Sequence, residues 1–398
     1  MVYRILSLDG GGTWSLIQVK ALMALYGEST SGHTVLKDFD LVAGNSGGSL
    51  VLGGLVEDLK LNKLFSYFAD KKKRTAIFSP TKSLFNRILH GLTTVGPQHS
   101  TEAKLSGILE LLPSAGKRSL SEVASNLKRE GSKIPTHLLI IGFDYDRNRA
   151  AFFRSAKTGG RKGWGSGETS NIRLADAINA STNAPVNYFD FPAIFPEGQR
   201  YWDGAVTGYN NPVLAAVTEA LALGVKPADV VALSLGTGSL SLPWPTPGQP
   251  PSPFMQPSTR QSLLTDVKKL AGSILDDPPD VATFLAHVMT GAGEDVPAPA
   301  DSHIVRMSPL ISPVLDANGN FVLPAGMSIA EFKSLCNMDI DVVERPQFET
   351  IKKFAEQWLA GSVFNQPIRM NGATLKAEIG FNSFSESKTA WNTIKDLH

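Results

Sequence analysis

The sequence predicts an α/β protein, a three-layer α/β/α sandwich around a largely parallel central sheet with a helical cap inserted into it. Three observations carry this prediction. Short, continuously apolar runs recur, each bounded by Gly or Asp: YRILSL at 3–8, FDLVA at 39–43, HLLIIGF at 137–143 and DVVALSL at 229–235. Strands buried on both faces of a parallel sheet have this form. Helical patterns separate the runs, and strands alternating with helices read as a doubly wound arrangement. The composition agrees, with 398 residues, 42% of them apolar and 19% charged, enough to close a large core.

Taken in order, the elements are justified as follows. After the first run, Leu16, Val19, Leu22, Met23 and Tyr26 share one helical face, and the helix stops at Gly27. Residues 47–60 are apolar almost throughout and turn polar only at Glu57, so a helix is expected in the middle of the fold. Residues 61–135 are more polar and read as the cap-like insertion. Residues 212–223 open on a proline and end before Gly224, the punctuation of a helix. Residues 243–257 contain seven prolines and form a connecting loop, with a lid as the alternative reading. A last strand (IVRM) follows at 304–307, then two helices over 328–337 and 346–360. The expected domain is 1–361, with 362–398 as a C-terminal extension.

The net charge is +1, which gives no general attraction to nucleic acid, and no base-reading motif stands out. The single cysteine, Cys336, rules out an internal disulfide and reads as a buried thiol. The histidines are scattered and no cluster has metal-ligand spacing, so neither metal nor cofactor is expected. The most apolar stretch, 41–56, is interrupted by glycines and is too short to span a bilayer. The chain enters a strand without a basic leader. The expected location is cytoplasmic, with peripheral contact at a membrane surface; export without a cleaved signal stays open.

The chemistry begins with Asp9-Gly10-Gly11-Gly12, placed between a strand and a helix. Three glycines bring bare backbone N–H groups close to something negative, either a nucleotide phosphate or a transient oxyanion. A second cluster, Gly44-Asn45-Ser46-Gly47-Gly48, follows the strand 39–43 and precedes the apolar helix. Strand, Gly-x-Ser-x-Gly, helix is the setting of a nucleophile elbow. The glycines permit the sharp turn, and the helix N-terminus favours negative charge near Ser46. The bland reading is a tight turn that seats a helix on a sheet. A serine needs a base. Asp203, in Tyr201-Trp202-Asp203-Gly204-Ala205, is the better candidate, although Asp-Gly alone also marks a plain turn. His287 and His303 fit the chain order Ser–Asp–His and keep a triad open.

Four blocks in order resemble the patatin-like phospholipase family. They are DGGG at 9–12, GNSGG at 44–48, AINASTNAPVNYF at 177–189 leading to DGA at 203–205 and NNP at 210–212, and SLGTG at 234–238. The resemblance implies a lipid acyl hydrolase whose substrate is a phospholipid, lysophospholipid, galactolipid or acylglycerol. It implies Ser46 as nucleophile and Asp203 as general base. It also implies an oxyanion hole built from the N–H groups of Gly10, Gly11, Gly12 and Gly47. A carboxylate is a weaker base than imidazole by roughly 2.5 pK units. Such a dyad leans on its oxyanion hole, where one donor is worth about 3–4 kcal/mol of barrier.

The chain departs from the family where Arg then Gly commonly follow the triple glycine; here Trp14 and Ser15 stand there. Ser15 and Gln18 have the spacing of a capping box, with Trp14 stapled onto Val19. The alternative places Trp14 in an acyl or headgroup site. Lys71-Lys72-Lys73-Arg74 reads as an anionic-membrane contact or as a solvated helix end, beside aromatic residues including Phe65, Phe68, Phe78 and Phe85. Two further function classes remain. LSLDGGGT and LSLGTGS look like paired phosphate-binding turns of an actin-like kinase, which leaves GNSGG and DGA–NNP unexplained. A catalytically weak lipid-binding or interaction protein is the other.

Overall fold

The computed structural model describes residues 2–77, 100–156, 169–185, 189–243, 254–255, 278–291, 302–372 and 374–396. Trp244, Phe78, Phe85 and most of the proline-rich loop lie outside them. The first half of the chain forms β1 (Tyr3–Leu8), α1 (Leu16–Tyr26), β2 (Leu41–Asn45), α2 (Gly47–Val56), α3 (Leu61–Ala69), α4 (Lys71–Ile77) and α5 (Thr101–Leu111). Next come β3 (His137–Asp144), β4 (Arg149–Arg154), α6 (Leu174–Ser181), β5 (Ala193–Ile194), β6 (Arg200–Asp203), α7 (Val213–Ala222) and β7 (Val230–Leu235). The last elements that bear on the site are α8 (Pro278–Thr290), β8 (Ile304–Met307), α9 (Ile329–Cys336), α10 (Arg345–Leu359) and α11 (Phe384–Ile394).

The main sheet runs β5-β6-β3-β2-β1-β7-β8, with β4 also paired to β3. β1 is parallel to β2 and β7, β2 to β3, and β7 to β8. β4, β5 and β6 are antiparallel, so the sheet is mixed and mostly parallel. Side chains of β1 alternate between two apolar clusters, Leu6 and Leu8 in one and Ile5 in the other. This two-sided burial is why the strand reads as a continuous apolar run.

The register of β3 positions the site. β2 pairs with β3 from Leu41↔His137 to Asn45↔Ile141 and then ends. β4 occupies the opposite edge of β3, from Leu139 to Asp144. The remaining edge beyond Ile141 is taken by β6, whose Asp203 pairs with Gly142. The last residue of β6 therefore abuts the last residue of β2, head to head along one edge.

α2 is buried along its whole length. Its glycines each cost about 1 kcal/mol of helix propensity against alanine. Close packing explains them: a Cβ on Gly48 would sit 2.2 Å from the Leu8 carbonyl oxygen. The helix is seated directly on β1, with no room for a methyl group.

Residues 61–135 were expected as a cap. Leu64, Phe68, Ile77, Ile108 and Leu111 instead join the main apolar cluster with α1 and α2. Residues 362–398 were expected as an extension. Trp391 stacks on Phe39 at 5.7 Å and Phe384 meets Trp358 edge-on at 4.8 Å, so α11 completes the same core. The buried Asn365 ties that segment to the sheet end, accepting from the Ser308 N–H at 3.0 Å and donating to the Arg306 carbonyl at 3.0 Å. Cys336 is a half-buried thiol pushed up to about 11 by burial, which leaves it unreactive.

The expected capping box at Ser15 does not form. Among the described residues the Ser15 hydroxyl has no hydrogen-bond partner, and the Gln18 amide donates to the carbonyls of Asp9 (2.8 Å) and Leu235 (3.0 Å). Trp14 and Val19 belong to the same buried cluster. The Trp14 indole N–H donates to the Asp339 carbonyl at 2.9 Å and its ring meets Phe354 edge-on. The basic run at 71–74 is partly structural. Arg74 is buried and donates to the carbonyls of Phe68, Ala69 and Val343, and Lys71 pairs with Glu344.

Candidate active site

Ser46 sits between β2 and α2 at φ 47°, ψ −124°, a conformation that non-glycine residues rarely adopt. Such a backbone costs about 1–3 kcal/mol and persists only where the surroundings hold it. Here the Ser46 N–H donates to the Ser181 hydroxyl at 2.9 Å. Its carbonyl accepts from the Ser49 N–H (2.9 Å) and the Ser49 hydroxyl (2.6 Å). The side chain is thereby thrust up at the N-terminus of α2, where the helix dipole favours developing negative charge.

The register places Asp203 beside it. The Ser46 side chain lies beside the Asp203 carboxylate and favours its charged form. Asp203 Oδ1 accepts from Asn45 Nδ2 at 3.1 Å and from the Ala205 N–H at 2.9 Å. The Asp203 N–H donates to the Asn183 carbonyl at 2.9 Å. Both Ser46 and Asp203 are buried. Burial raises the Asp203 carboxyl above the usual carboxylate range, opposed by the Ala205 N–H, the Ser46 and Asn45 side chains and the charge of Lys104.

The glycine loop lies against the serine. A Cβ on Gly10 would sit 3.0 Å from Ser46 Cβ, and one on Gly47 would sit 2.9 Å from the Gly12 nitrogen. Gly12 itself is left-handed at φ 52°. Three anchors hold the loop. The Asp9 carboxylate pairs with the buried Arg306 at 2.6 Å, the Thr237 hydroxyl donates to the Gly10 carbonyl at 2.7 Å, and the Gly10 N–H donates to the Asn210 carbonyl at 2.8 Å. Asp9 is pushed up to about 6 because burial outweighs Arg306. The turn at SLGTG thus braces the loop, which accounts for the second sequence that resembled a phosphate loop.

Of the four expected oxyanion donors, the structure holds Gly10 in another bond. The N–H groups of Gly11, Gly12 and Gly47 are not engaged by acceptors among the described residues. His287 bonds to the Ser302 hydroxyl at 2.8 Å, and among the described residues no imidazole hydrogen-bonds to Ser46 or Asp203. His90, His99 and His398 lie outside those residues.

Several groups at the site carried no sequence signal. Lys104 on α5 is fully buried, and its ammonium donates to the Asn179 carbonyl (2.9 Å) and Asn183 Oδ1 (2.8 Å). A lysine on a helix ordinarily reads as solvated. Asp341 lies on a strap between α9 and α10, and one of its carboxylate oxygens is 2.5 Å from where a Cβ on Gly12 would be. A separate cavity of about 600 Å³ opens at the other end of the strands, where Tyr3, Asp40 and His137 line it. It is remote from this chemistry.

Strand, strained serine, helix N-terminus and a bare-backbone loop together form a strand–turn–helix elbow on an α/β sheet. The chain belongs to the patatin-like phospholipase family, whose model matches residues 6–217. A cGAMP-activated phospholipase of Pseudomonas aeruginosa is 25% identical over 240 residues, covering 60% of this chain and 63% of that protein. Two solved structures align over 89% of the chain: VipD from Legionella pneumophila (TM-score 0.36, 9% identity, 67% of that chain) and the type III effector protein ExoU (TM-score 0.26, 11% identity, 53% of that chain).

Proposed function

We propose that this protein is a serine lipid acyl hydrolase that cleaves fatty acyl esters through an acyl-enzyme on Ser46. The observation that carries the reading is the strained strand–helix turn at Ser46, which the sheet register sets beside the buried Asp203. In the first half-reaction Ser46 Oγ attacks the ester carbonyl as Asp203 takes its proton. The tetrahedral oxyanion is held by the N–H groups of Gly11, Gly12 and Gly47. Collapse breaks the bond to the alcohol, which leaves with the proton from Asp203. Water then attacks the acyl-enzyme, Asp203 takes a proton from it, and the fatty acid departs as the proton returns to Ser46.

The lipid nature of the substrate is supported by family membership. A transient contact with a membrane surface follows from such a substrate. In the basic run Arg74 and Lys71 are engaged and Lys73 lies over the Tyr67 ring at 3.9 Å, which points to Lys72 for that contact.

The test uses a fluorophosphonate probe and mixed phospholipid vesicles. The expected result is stoichiometric labelling of the peptide containing Ser46, with release of free fatty acid; chromatography of the lysolipid or glycerol products names the substrate. Absence of both labelling and acid release from folded protein would overturn the reading and make nucleotide binding the next measurement.

A further inference from the structure

Lys104 is a charged group with no place in the dyad described above. Its side chain is fully buried between α5 and α6, and its ammonium faces two oxygens and the Phe189 ring, whose centroid is 4.1 Å away. Burying a lone ammonium is expensive, so a lysine in this position needs a reason. The partners supply one. Asn183, which accepts from Lys104, also accepts from the Thr101 hydroxyl at 3.2 Å and gives its own amide to the Phe191 carbonyl at 2.7 Å. The carbonyl of the same Asn183 receives the N–H of Asp203. Burial pushes Lys104 well below the usual lysine range, and the charges of Asp203, Asp341 and Asp190 oppose that and favour the ammonium.

We propose that Lys104 is a positioning residue for the general base: it clamps Asn183, which fixes the backbone of Asp203, and its buried charge keeps that carboxyl ionised at working pH. The proposal rests on the hydrolase reading. Burial holds the Asp203 carboxyl above the usual carboxylate range, against Ala205, Ser46, Asn45 and the charge of Lys104, so the base leans on every group that favours its charged form. A positive charge inside the same low-dielectric region acts on it far more strongly than a surface charge would.

The test is the pH dependence of kcat/KM on a soluble ester for wild type and Lys104→Met, with thermal melts to check folding. Loss of the charge is expected to move the acidic limb upward by about one pH unit, so activity below the wild-type limb falls about tenfold more than activity at alkaline pH. A merely structural role would lower the whole curve without moving the limb. Superimposed limbs in a folded Lys104→Met protein would overturn the proposal. A second readout needs no variant: the carbon-13 shift of Lys104 Cε in the wild-type protein is expected to be that of an ammonium, and a neutral amine at working pH would also overturn it. Wild-type protein without ester turnover would instead sink the hydrolase reading itself.

A second, independent observation concerns the strap between α9 and α10. The Thr13 N–H donates to the Ile340 carbonyl (3.0 Å), the Thr13 hydroxyl to the Val342 carbonyl (3.0 Å), and the Trp14 indole to the Asp339 carbonyl (2.9 Å). The Arg74 guanidinium holds the Val343 carbonyl at 2.8 Å. These bonds lay the strap on the glycine loop, with the Asp341 carboxylate against Gly12. Burial, with the charge of Asp339, pushes the Asp341 carboxyl well above the usual carboxylate range, and a side chain in this place occupies the space in front of a backbone that receives an oxyanion. We infer that residues 339–343 are an autoinhibitory strap, latched by Trp14, that must lift for turnover. Under the same hydrolase reading, Asp341→Ala and Trp14→Phe are each expected to accelerate both fluorophosphonate labelling of Ser46 and soluble-ester hydrolysis at least about fivefold. Rates equal to or below wild type in both folded variants would overturn it. In wild type, the Thr13 amide is expected to exchange with solvent at least tenfold faster than the amide of Leu6, and exchange only at the global unfolding rate would also overturn it.

Discussion

Ser46→Ala is expected to reduce ester turnover by about 10,000-fold or more, to the level that binding and the oxyanion donors give alone. Fluorophosphonate labelling should vanish with it. The fold should survive. Alanine is smaller, and the positive φ strains alanine as it strains serine. The anchoring bonds at this position all involve the Ser46 backbone rather than its hydroxyl. The melting temperature of the variant should therefore stay within about 2 °C of wild type. Residual activity within tenfold of wild type would remove Ser46 from the chemistry.

Asp203→Asn is expected to be comparably inactive for a different reason. Oδ1 of Asp203 accepts from both Asn45 and Ala205, so the carboxamide must place its oxygen there. Its NH2 then faces Ser46, where a donor replaces the acceptor that the serine proton requires. Loss of about 10,000-fold is expected, as when a carboxylate orienting a catalytic group becomes an amide elsewhere. Stability should move the other way. The folded carboxyl sits above its unfolded value because of burial. Its protonated form is favoured by folding at low pH, and that contribution is lost as pH rises through the raised value. At neutral pH the neutral amide avoids the cost of a buried charge, so Asp203→Asn should melt about 1–3 °C above wild type. The gap should close near pH 4, and calorimetry at the two pH values checks the sign. For wild type, the acidic limb of kcat/KM should lie above the ordinary Asp value of about 3.9. A limb at or below that value would separate Asp203 from the base.

Much of this arrangement is legible from residue order because it is local. The elbow at Gly44–Gly48 joins a strand to a helix within five residues, and the triple glycine follows its strand directly. Asp203 is readable only as an Asp-Gly turn plus a family resemblance, since its neighbourhood depends on the register of β6 against β3. Arg306, Lys104 and Asp341 leave no periodic trace. Each comes to the site from a different element, and a charged residue reads as solvent-facing until the fold buries it. The failed capping box at Ser15 has the same origin. Spacing allowed the box, but Gln18 found two buried carbonyls of the glycine loop and its strand neighbour. The segment 61–135 reads as a cap-like insertion because its polar faces dominate its composition, while Leu64, Phe68, Ile77, Ile108 and Leu111 join the shared core.

The head-to-head meeting of β2 and β6 also bears on how the protein is made. Asn45 and Asp203 are 158 residues apart along the chain, yet one strand edge joins them. During synthesis the elbow emerges first, and β3 must then dock before β6 has an edge to continue. Long-range pairings of this kind form late, because loop closure precedes the contacts that reward it. An incomplete chain thus carries Ser46 without Asp203, the base proposed for it. Competence arrives only with native topology, so recovery of ester turnover after dilution from denaturant should trail the return of helical circular dichroism.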